Sequence, residues 1–408
     1  MADSPSRPAT TVPTPAPLPP LASRVERIEP FHVMELVKRA AALERAGRSV
    51  IHLSIGEPDF TAPPPVVHAL QRAVDAGATG YTPALGLDAL RRAIARWHGD
   101  EFGVDVDPQR VLVTAGASGA LLLACAGLVE RGDAVLMSDP GYPCNRHFVA
   151  AVDGVARPVP VGAAQRFQLD AAAVRAHWAP DVRGVLLASP SNPTGTSIAF
   201  DELARVVDAV RERRGFTIVD EIYLGLTYDH APRSALALGD DVVTVGSFSK
   251  FFHMTGWRLG WLVLPPAWVG AFEKLAQNLF ICASAPAQQA ALACFDDESM
   301  AIYRMRRAEF RARRDVVVPA MRELGFGVPV TPDGAFYVWL DASAFTDDSD
   351  RFAIELLEAT GVALVPGKDF GAHDPQRWLR LSYATGLDQL HEAVRRLRAW
   401  LPARAPSR

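Results

Sequence analysis

Lys250 lies in GSFSKFFHMTGWRLGW, residues 246–261, with Arg258 eight positions further on. The chain has only four lysines (Lys38, Lys250, Lys274 and Lys368) among 42 lysines and arginines together. Positive charge elsewhere is arginine's, so a lysine here asks for chemistry that arginine lacks. A lysine amine can form a Schiff base with an aldehyde, but it must first give up its proton. Its pKa falls readily when the amine is desolvated or set beside another positive charge. Arginine stays protonated and cannot do this. The aromatic, glycine-rich setting and Arg258 suit that task; the alternative is a surface lysine.

Other polar residues follow apolar runs in the same way. Ser118 comes after VLVTAG, Asn192 after VLLASP, Asp220 and Tyr223 at the end of FTIVD, and Ser247 with Lys250 after VVTVG. Gathered at one sheet edge, they would line a single crevice. GASGALLL, 116–123, is a glycine-rich turn opening a helix, where free N–H groups and the helix dipole attract a phosphate. It matches neither Walker A nor GxGxxG, and a plain helix start reads equally well. Asp220 suits a charge partner for a ring nitrogen, or else a structural salt bridge. SNPTG, 191–195, is a turn signal first. Arg380 sits in the apolar strand WLRLS, and a buried arginine needs an anion, either a carboxylate ligand or a structural Asp or Glu.

The elements that must position these residues alternate. From about 108 to 295, RVLVTAG, AVLMSDP, VRGVLLASP, FTIVDE, VVTVGSFS and GWLVLP read as strands, several separated by helical stretches. Their apolar residues are continuous, as expected for strands covered on both faces. This predicts an α/β fold: a large domain with a mostly parallel sheet sandwiched by helices, with ligands at the carboxyl ends of its strands. After about 296 an arginine-rich helix leads to VPVTPDGAFYVWLD, where Asp333-Gly334 reads as a hairpin-type turn. Further helices and the strand WLRLSYA complete a smaller α+β domain. The expected division is a disordered Pro-rich tail over 1–27, an N-terminal segment of the small domain over 28–60, the large domain over 61–295 and the C-terminal small domain over 296–408.

Composition narrows the function classes. At 408 residues the chain suits two domains, with 49% hydrophobic and 22% charged residues. The net charge of −4 gives no reason to expect nucleic acid or an anionic membrane. Cys125, Cys144, Cys282 and Cys294 form no CxxC pair, which argues against a metal site and a disulfide scaffold and for a reducing cytoplasm. The longest apolar run, ALLLACAGLV, is half of what a membrane-spanning helix needs, and the N-terminus has no apolar signal core.

Taken together, nine segments resemble the class I/II aminotransferases of pyridoxal-phosphate fold type I. They are LSIGEPDF (53–60), YTPALGLDALRRAIA (81–95), VTAGASGAL (113–121), DPGYP (139–143), SPSNPTG (189–195), VDEIY (219–223), SFSKFFHMTGWRLG (247–260), PDGAFYVW (332–339) and WLRLSYA (378–384). They run in the family's order across nearly the whole chain beyond the tail. The resemblance implies pyridoxal 5′-phosphate held by Lys250, which then becomes the base that moves the Cα proton. It implies that Asp220 keeps the pyridine nitrogen protonated, that Asn192 and Tyr223 bond the phenolic oxygen, and that Tyr142 stacks on the ring. Ala117, Ser118, Ser247 and Arg258 would bind the phosphate. Tyr81 would reach the phosphate of the neighbouring subunit, making a homodimer with shared sites. Arg380 would clamp the substrate carboxylate, with Gly56 letting the backbone approach.

The implied reaction moves an amino group from an L-amino acid to a 2-oxo acid, 2-oxoglutarate being the expected acceptor, by ping-pong kinetics. One bacterial branch of aspartate aminotransferases carries a lysine for the distal carboxylate at the position aligned with Ser118. Serine there leaves an alanine or broad-specificity donor as open as aspartate. Phe31, Met34 and Tyr337 are expected either to make the side-chain pocket more apolar or simply to pack. The same fold and catalytic set also serve carbon–sulfur lyases and other pyridoxal-phosphate enzymes, and some similar domains act as ligand sensors below a DNA-binding module.

Overall fold

The computed structural model describes residues 18–30 and 33–401. The strands in chain order are β1 (Ile51–His52), β2 (Val111–Thr114), β3 (Ala134–Asp139), β4 (Val155–Pro160), β5 (Val182–Ala188), β6 (Phe216–Asp220), β7 (Val242–Ser247), β8 (Gly260–Val263), β9 (Tyr337–Asp341), β10 (Val362–Ala363), β11 (Val365–Pro366) and β12 (Trp378–Ser382). Seven form one sheet in the order β2-β8-β7-β6-β5-β3-β4. Within it β4, β3, β5, β6 and β7 run parallel, and β8 is antiparallel to both β7 and β2.

The continuous apolar runs have the expected cause. Val135 and Met137 of β3 pack with Leu186, Ile218, Val243 and the helix Gly116–Leu128 on one face. Ala134 and Leu136 pack with Val185, Leu187, Val219 and the helix Phe200–Arg211 on the other. Alternate residues therefore enter two different cores, and neither face is left for polar side chains. The edge strand β4 escapes that pattern. Its sequence, VARPVP, is largely open to solvent and carries two prolines, which an edge tolerates because one side of the ladder is free.

A second, antiparallel sheet has the order β11-β12-β9, and β1 pairs in parallel with β10. The latter pairing ties the segment around residue 51 to the C-terminal part of the chain. Asp333-Gly334 makes no hairpin. Both N–H groups donate to the Gly195 carbonyl at 3.0 Å, and the Asp333 carboxylate accepts from Ser197 N at 2.8 Å. A side chain on Gly334 would run into Pro190, so the glycine serves the close approach of this turn to SNPTG.

The expected disordered tail lies partly outside the described residues, at 1–17. Residues 18–27 contain a 3-10 turn, Ser23–Val25, and Arg24 and Arg27 both pair with Asp153, at 3.0 and 2.5 Å. Surface ion pairs thus link this stretch to Asp153, a contact that composition does not show. Among the described residues no helix is long and apolar enough to cross a membrane. All four cysteines are free thiols.

Candidate active site

The carboxyl ends of β5, β6 and β7 open into a cavity of about 400 Å³. Its lining brings together Gly56, Ala117, Ser118, Tyr142, Asn192, Asp220, Tyr223, Ser247, Lys250, Arg258 and Arg380, every expected site residue except Tyr81. Tyr81 is 84% exposed and stands away from the cavity of its own chain. Phe31 lies outside the described residues; Met34 lines the cavity and remains substantially exposed.

Lys250 follows β7 on a loop whose aromatic residues face inward. Phe248 and Phe252 are buried against each other, Trp261 and Phe295. These rings anchor the loop, and a side chain on Gly246 would collide with Trp261. Lys250 is left pointing into the cavity, donating from Nζ to the Gly56 carbonyl at 2.6 Å. Burial, followed by the Arg380 and Arg258 charges, pulls its amine down from the usual 10.5 to about 8, against the opposing pull of Glu57 and Asp220. The free amine is thus within reach at neutral pH.

Asp220 ends β6 and is only 3% exposed. Burial raises its carboxyl to about 7, opposed by an N–H bond from Ile222 at 3.1 Å and by the Lys250 charge. A buried carboxylate held this way seeks a cationic or N–H partner inside the cavity.

One end of the cavity is an anion cradle. The helix Gly116–Leu128 begins without a side-chain cap, which leaves its first N–H groups without a capping side chain, and Ala117 and Ser118 of this turn line the cavity. Arg258 lies across them. A Cβ on Gly116 would sit 2.5 Å from its Nη2, and one on Gly260 would sit 2.8 Å from Ala117 N. Arg258 itself occupies the left-handed region, φ 55, which turns its side chain back toward the helix start. Its Nη1 donates to the Thr255 carbonyl at 2.9 Å, and the Ser247 hydroxyl accepts from Ser249 N at 3.0 Å. Helix start, guanidinium and hydroxyls together suit a phosphate-sized dianion.

The other end is built around Arg380, in the middle of β12 and 7% exposed. Its Nη1 donates to Asn192 Oδ1 at 3.0 Å and its Nη2 to the Ser54 carbonyl at 2.6 Å. Its guanidinium lies 4.6 Å from the Tyr337 ring and 4.8 Å from the Phe370 ring. No carboxylate among the described residues forms an ion pair with it, so the structural-anion alternative falls away. A buried guanidinium held by neutral acceptors is suited to take up a carboxylate.

Tyr337 does more than make a wall apolar. Its hydroxyl is 2.8 Å from that of Tyr223, and burial raises both phenol pKa values. A Cβ on Gly56 would sit 2.9 Å from the same hydroxyl, so Gly56 is required by close packing. Sequence reading passed over Ser249, Thr255, Asp369, Val365 and Phe370, which also line the cavity. Ser249 and Thr255 were open to inference from their place on the Lys250–Arg258 loop; GKDF, 367–370, carries no comparable signal.

Comparison with known proteins agrees with this geometry. Residues 48–397 match the family described as aminotransferase class I and II. The chain is 39% identical to the valine–pyruvate aminotransferase of Mycobacterium tuberculosis over 92% of its own length and 97% of the relative's. It is 34% identical to the aspartate aminotransferase of Geobacillus stearothermophilus, covering 94% of this chain and all of that one. Among solved structures, an aminotransferase from Mycobacterium tuberculosis superposes with a TM-score of 0.91 at 38% identity, over 95% of this chain and 100% of the other. The aspartate aminotransferase from Thermus thermophilus with maleate gives 0.88 at 32% identity, over 94% and 100%. The α/β sheet with its covering helices is therefore the fold of type I pyridoxal-phosphate enzymes, and the chain belongs to the class I and II aminotransferases.

Proposed function

We propose that this aminotransferase carries pyridoxal 5′-phosphate on Lys250 and moves the amino group of an L-amino acid to a 2-oxo acid in two half-reactions through one cavity. The observation that carries the reading is one cavity lined by an anion cradle, a lysine of lowered pKa beside a buried carboxylate, and a buried arginine with no acidic partner among the described residues. The cradle of Ala117, Ser118, Ser247 and Arg258 would hold the phosphate. Lys250 would supply the covalent link, Asp220 a proton held on the ring nitrogen, Asn192 and Tyr223 bonds to the phenolic oxygen, and Tyr142 a stacking face. When bound, the group supplies an electron-accepting ring that stabilises charge developing at the substrate Cα.

The chain's own residues do the rest. Arg380 binds the α-carboxylate and orients Cα toward the lysine side of the cavity. Lys250, near neutral pH a usable base once its link is exchanged, moves the Cα proton. The Tyr223 hydroxyl pairs with that of Tyr337 at 2.8 Å, and through it would tune the phenolic oxygen of the bound group. Tyr81, exposed in its own chain, serves the neighbouring subunit of a homodimer, so each site is complete only in the dimer.

The donor follows from the charges that remain. Among the described residues of one chain, Lys250, Arg258 and Arg380 are the cations lining the cavity, and each already has a task. Val33, Met34, Val365 and Phe370 add apolar surface. This favours an uncharged side chain such as that of alanine or valine over aspartate and, by the same charges, pyruvate over 2-oxoglutarate as acceptor. Valine and pyruvate are also the pair in the name of the Mycobacterium tuberculosis relative. The test is the absorption spectrum of the holoenzyme while single amino acids are added without an oxo acid. Conversion of the cofactor band, fastest with an uncharged aliphatic donor, is expected. A band that no amino acid converts, or release of ammonia and pyruvate, would sink the reading.

A further inference from the structure

DPGYP, 139–143, supplies Tyr142 to the cavity, but the buried aspartate that opens it has no part in the reaction described above. Asp139 ends β3 and is 4% exposed. No arginine, lysine or histidine among the described residues forms an ion pair with it. Its charge is met instead by backbone N–H groups from a segment 233 and 234 positions away. Oδ2 accepts from Ala372 N at 2.9 Å and from His373 N at 3.2 Å. Alongside, Gly141 N donates to the Phe370 carbonyl at 2.8 Å. A Cβ on Gly371 would run into the carboxylate, whose Oδ1 has no hydrogen-bond partner.

The segment so held carries Phe370, whose ring rests on the Arg380 guanidinium at 4.8 Å and on Trp339 at 5.5 Å. Behind it lies a second cavity of about 430 Å³, which shares Tyr142, Ala188 and Phe370 with the active cavity and has Asp139 and Gly371 in its own wall. Phe370 is therefore part of a partition between two spaces, and the bonds to Asp139 and Gly141 keep its backbone from falling back into the second one.

We propose that Asp139 is a positioning residue for the substrate carboxylate: it latches residues 370–373 to the end of β3 and so holds Phe370 against Arg380. The inference rests on the assignment of Arg380 as the carboxylate receptor. It separates the two ends of the cavity, since the latch touches the arginine end and leaves the phosphate cradle alone. A buried carboxylate accepting two N–H bonds has a strong hold on a loop, and removing it leaves both amides unpaired. Amino acid and oxo acid share the Arg380 end, so both should lose affinity together.

The experiment compares Asp139→Asn, Asp139→Ala, Gly371→Ala and the double variant Asp139→Ala/Gly371→Ala as dimeric holoenzymes. L-Valine, L-alanine and L-aspartate serve as donors and pyruvate and 2-oxoglutarate as acceptors. Asp139→Ala is expected to raise the KM of donor and acceptor alike by about ten- to a hundred-fold, with kcat changed less and the cofactor band unmoved. Asp139→Asn, which keeps one oxygen acceptor, should lie between it and wild type. Gly371→Ala should match Asp139→Ala, and the double variant should be no worse than either, because both break the same latch. Hydrogen exchange at the Ala372 and His373 amides should quicken in every variant. Unchanged KM values in an active Asp139→Ala enzyme, or unchanged exchange at those amides, would overturn the proposal. If Asp139→Ala does not fold, Asp139→Asn and Gly371→Ala decide by the same readouts. If the wild type transfers no amino group, the functional reading fails, and the exchange data alone judge the latch.

Discussion

At the cradle end of the cavity, Ala117 and Ser118 open the helix that follows β2, Ser247 ends β7 and Arg258 lies in the turn before β8, three strands that are neighbours in one sheet. At the receptor end, Arg380 depends on Ser54 and Asn192 for its bonds, and on Tyr337 and Phe370 for its walls. Those partners come from widely separated parts of the sequence. The first end hangs on adjacent strands of one sheet; at the second, the paired strands β12 and β9 carry Arg380 and Tyr337, while Ser54, Asn192 and Phe370 reach them from other segments. This is the arrangement expected of a site that keeps one group permanently and exchanges another in each half-reaction.

Exchanging the two arginines would break the comparison if it is wrong. Arg258→Gln should weaken cofactor binding by about a hundred- to a thousand-fold while leaving KM little changed in enzyme saturated with cofactor. Arg380→Gln should do the reverse, raising KM for amino acid and oxo acid together with cofactor affinity kept. Equilibrium dialysis and steady-state kinetics check the pair; two variants with the same profile would mean the ends are not distinct.

A smaller effect links the ends. With its amine at about 8, Lys250 in the apoenzyme should react with pyridoxal phosphate about tenfold more slowly for each pH unit below 8 and level off above it. Arg380 is the first charge holding that value down, so Arg380→Gln should move the midpoint upward. Stopped-flow absorbance against pH reads both; a midpoint near the ordinary lysine value in wild type would contradict the electrostatic account.

The smallest expected effect lies away from both ends. His98 is buried among Trp97, Phe102 and Trp261 with neither ring nitrogen bonded, and burial depresses its pKa from 6.5 to about 3. Between those values the unfolded chain binds a proton that the folded one refuses, so stability falls as pH drops below about 6.5. His98→Phe should reduce the loss of melting temperature between pH 7 and pH 5 by a few degrees, without altering either arginine's phenotype. Parallel melting curves for variant and wild type would refute it.

The same contrast explains what could be read from the sequence. Ser118 and Ser247 were legible because each follows or ends an apolar strand, which aims it at the crevice; Ala117 and Arg258 joined the cradle only through the family resemblance. Lys250 stood out by rarity and Arg380 by its apolar strand. Tyr337 was named only as a wall, because nothing in PDGAFYVW places its hydroxyl against Tyr223 across 114 positions. Phe370 and Asp139 were silent for the same reason: their roles exist only once β3 and the 370–373 segment meet. β4 was hidden by its prolines. The order at residues 18–27 was hidden because Asp153, which pairs with Arg24 and Arg27, lies more than a hundred positions away.

The measurement closest to the central claim is borohydride reduction of the holoenzyme followed by peptide mapping. With only four lysines in the chain the answer is unambiguous. The account predicts a single reduced cofactor adduct on Lys250, lost in Lys250→Ala together with at least about 10⁴-fold of the activity. An adduct on Lys38, Lys274 or Lys368, or one that survives in Lys250→Ala, would contradict it.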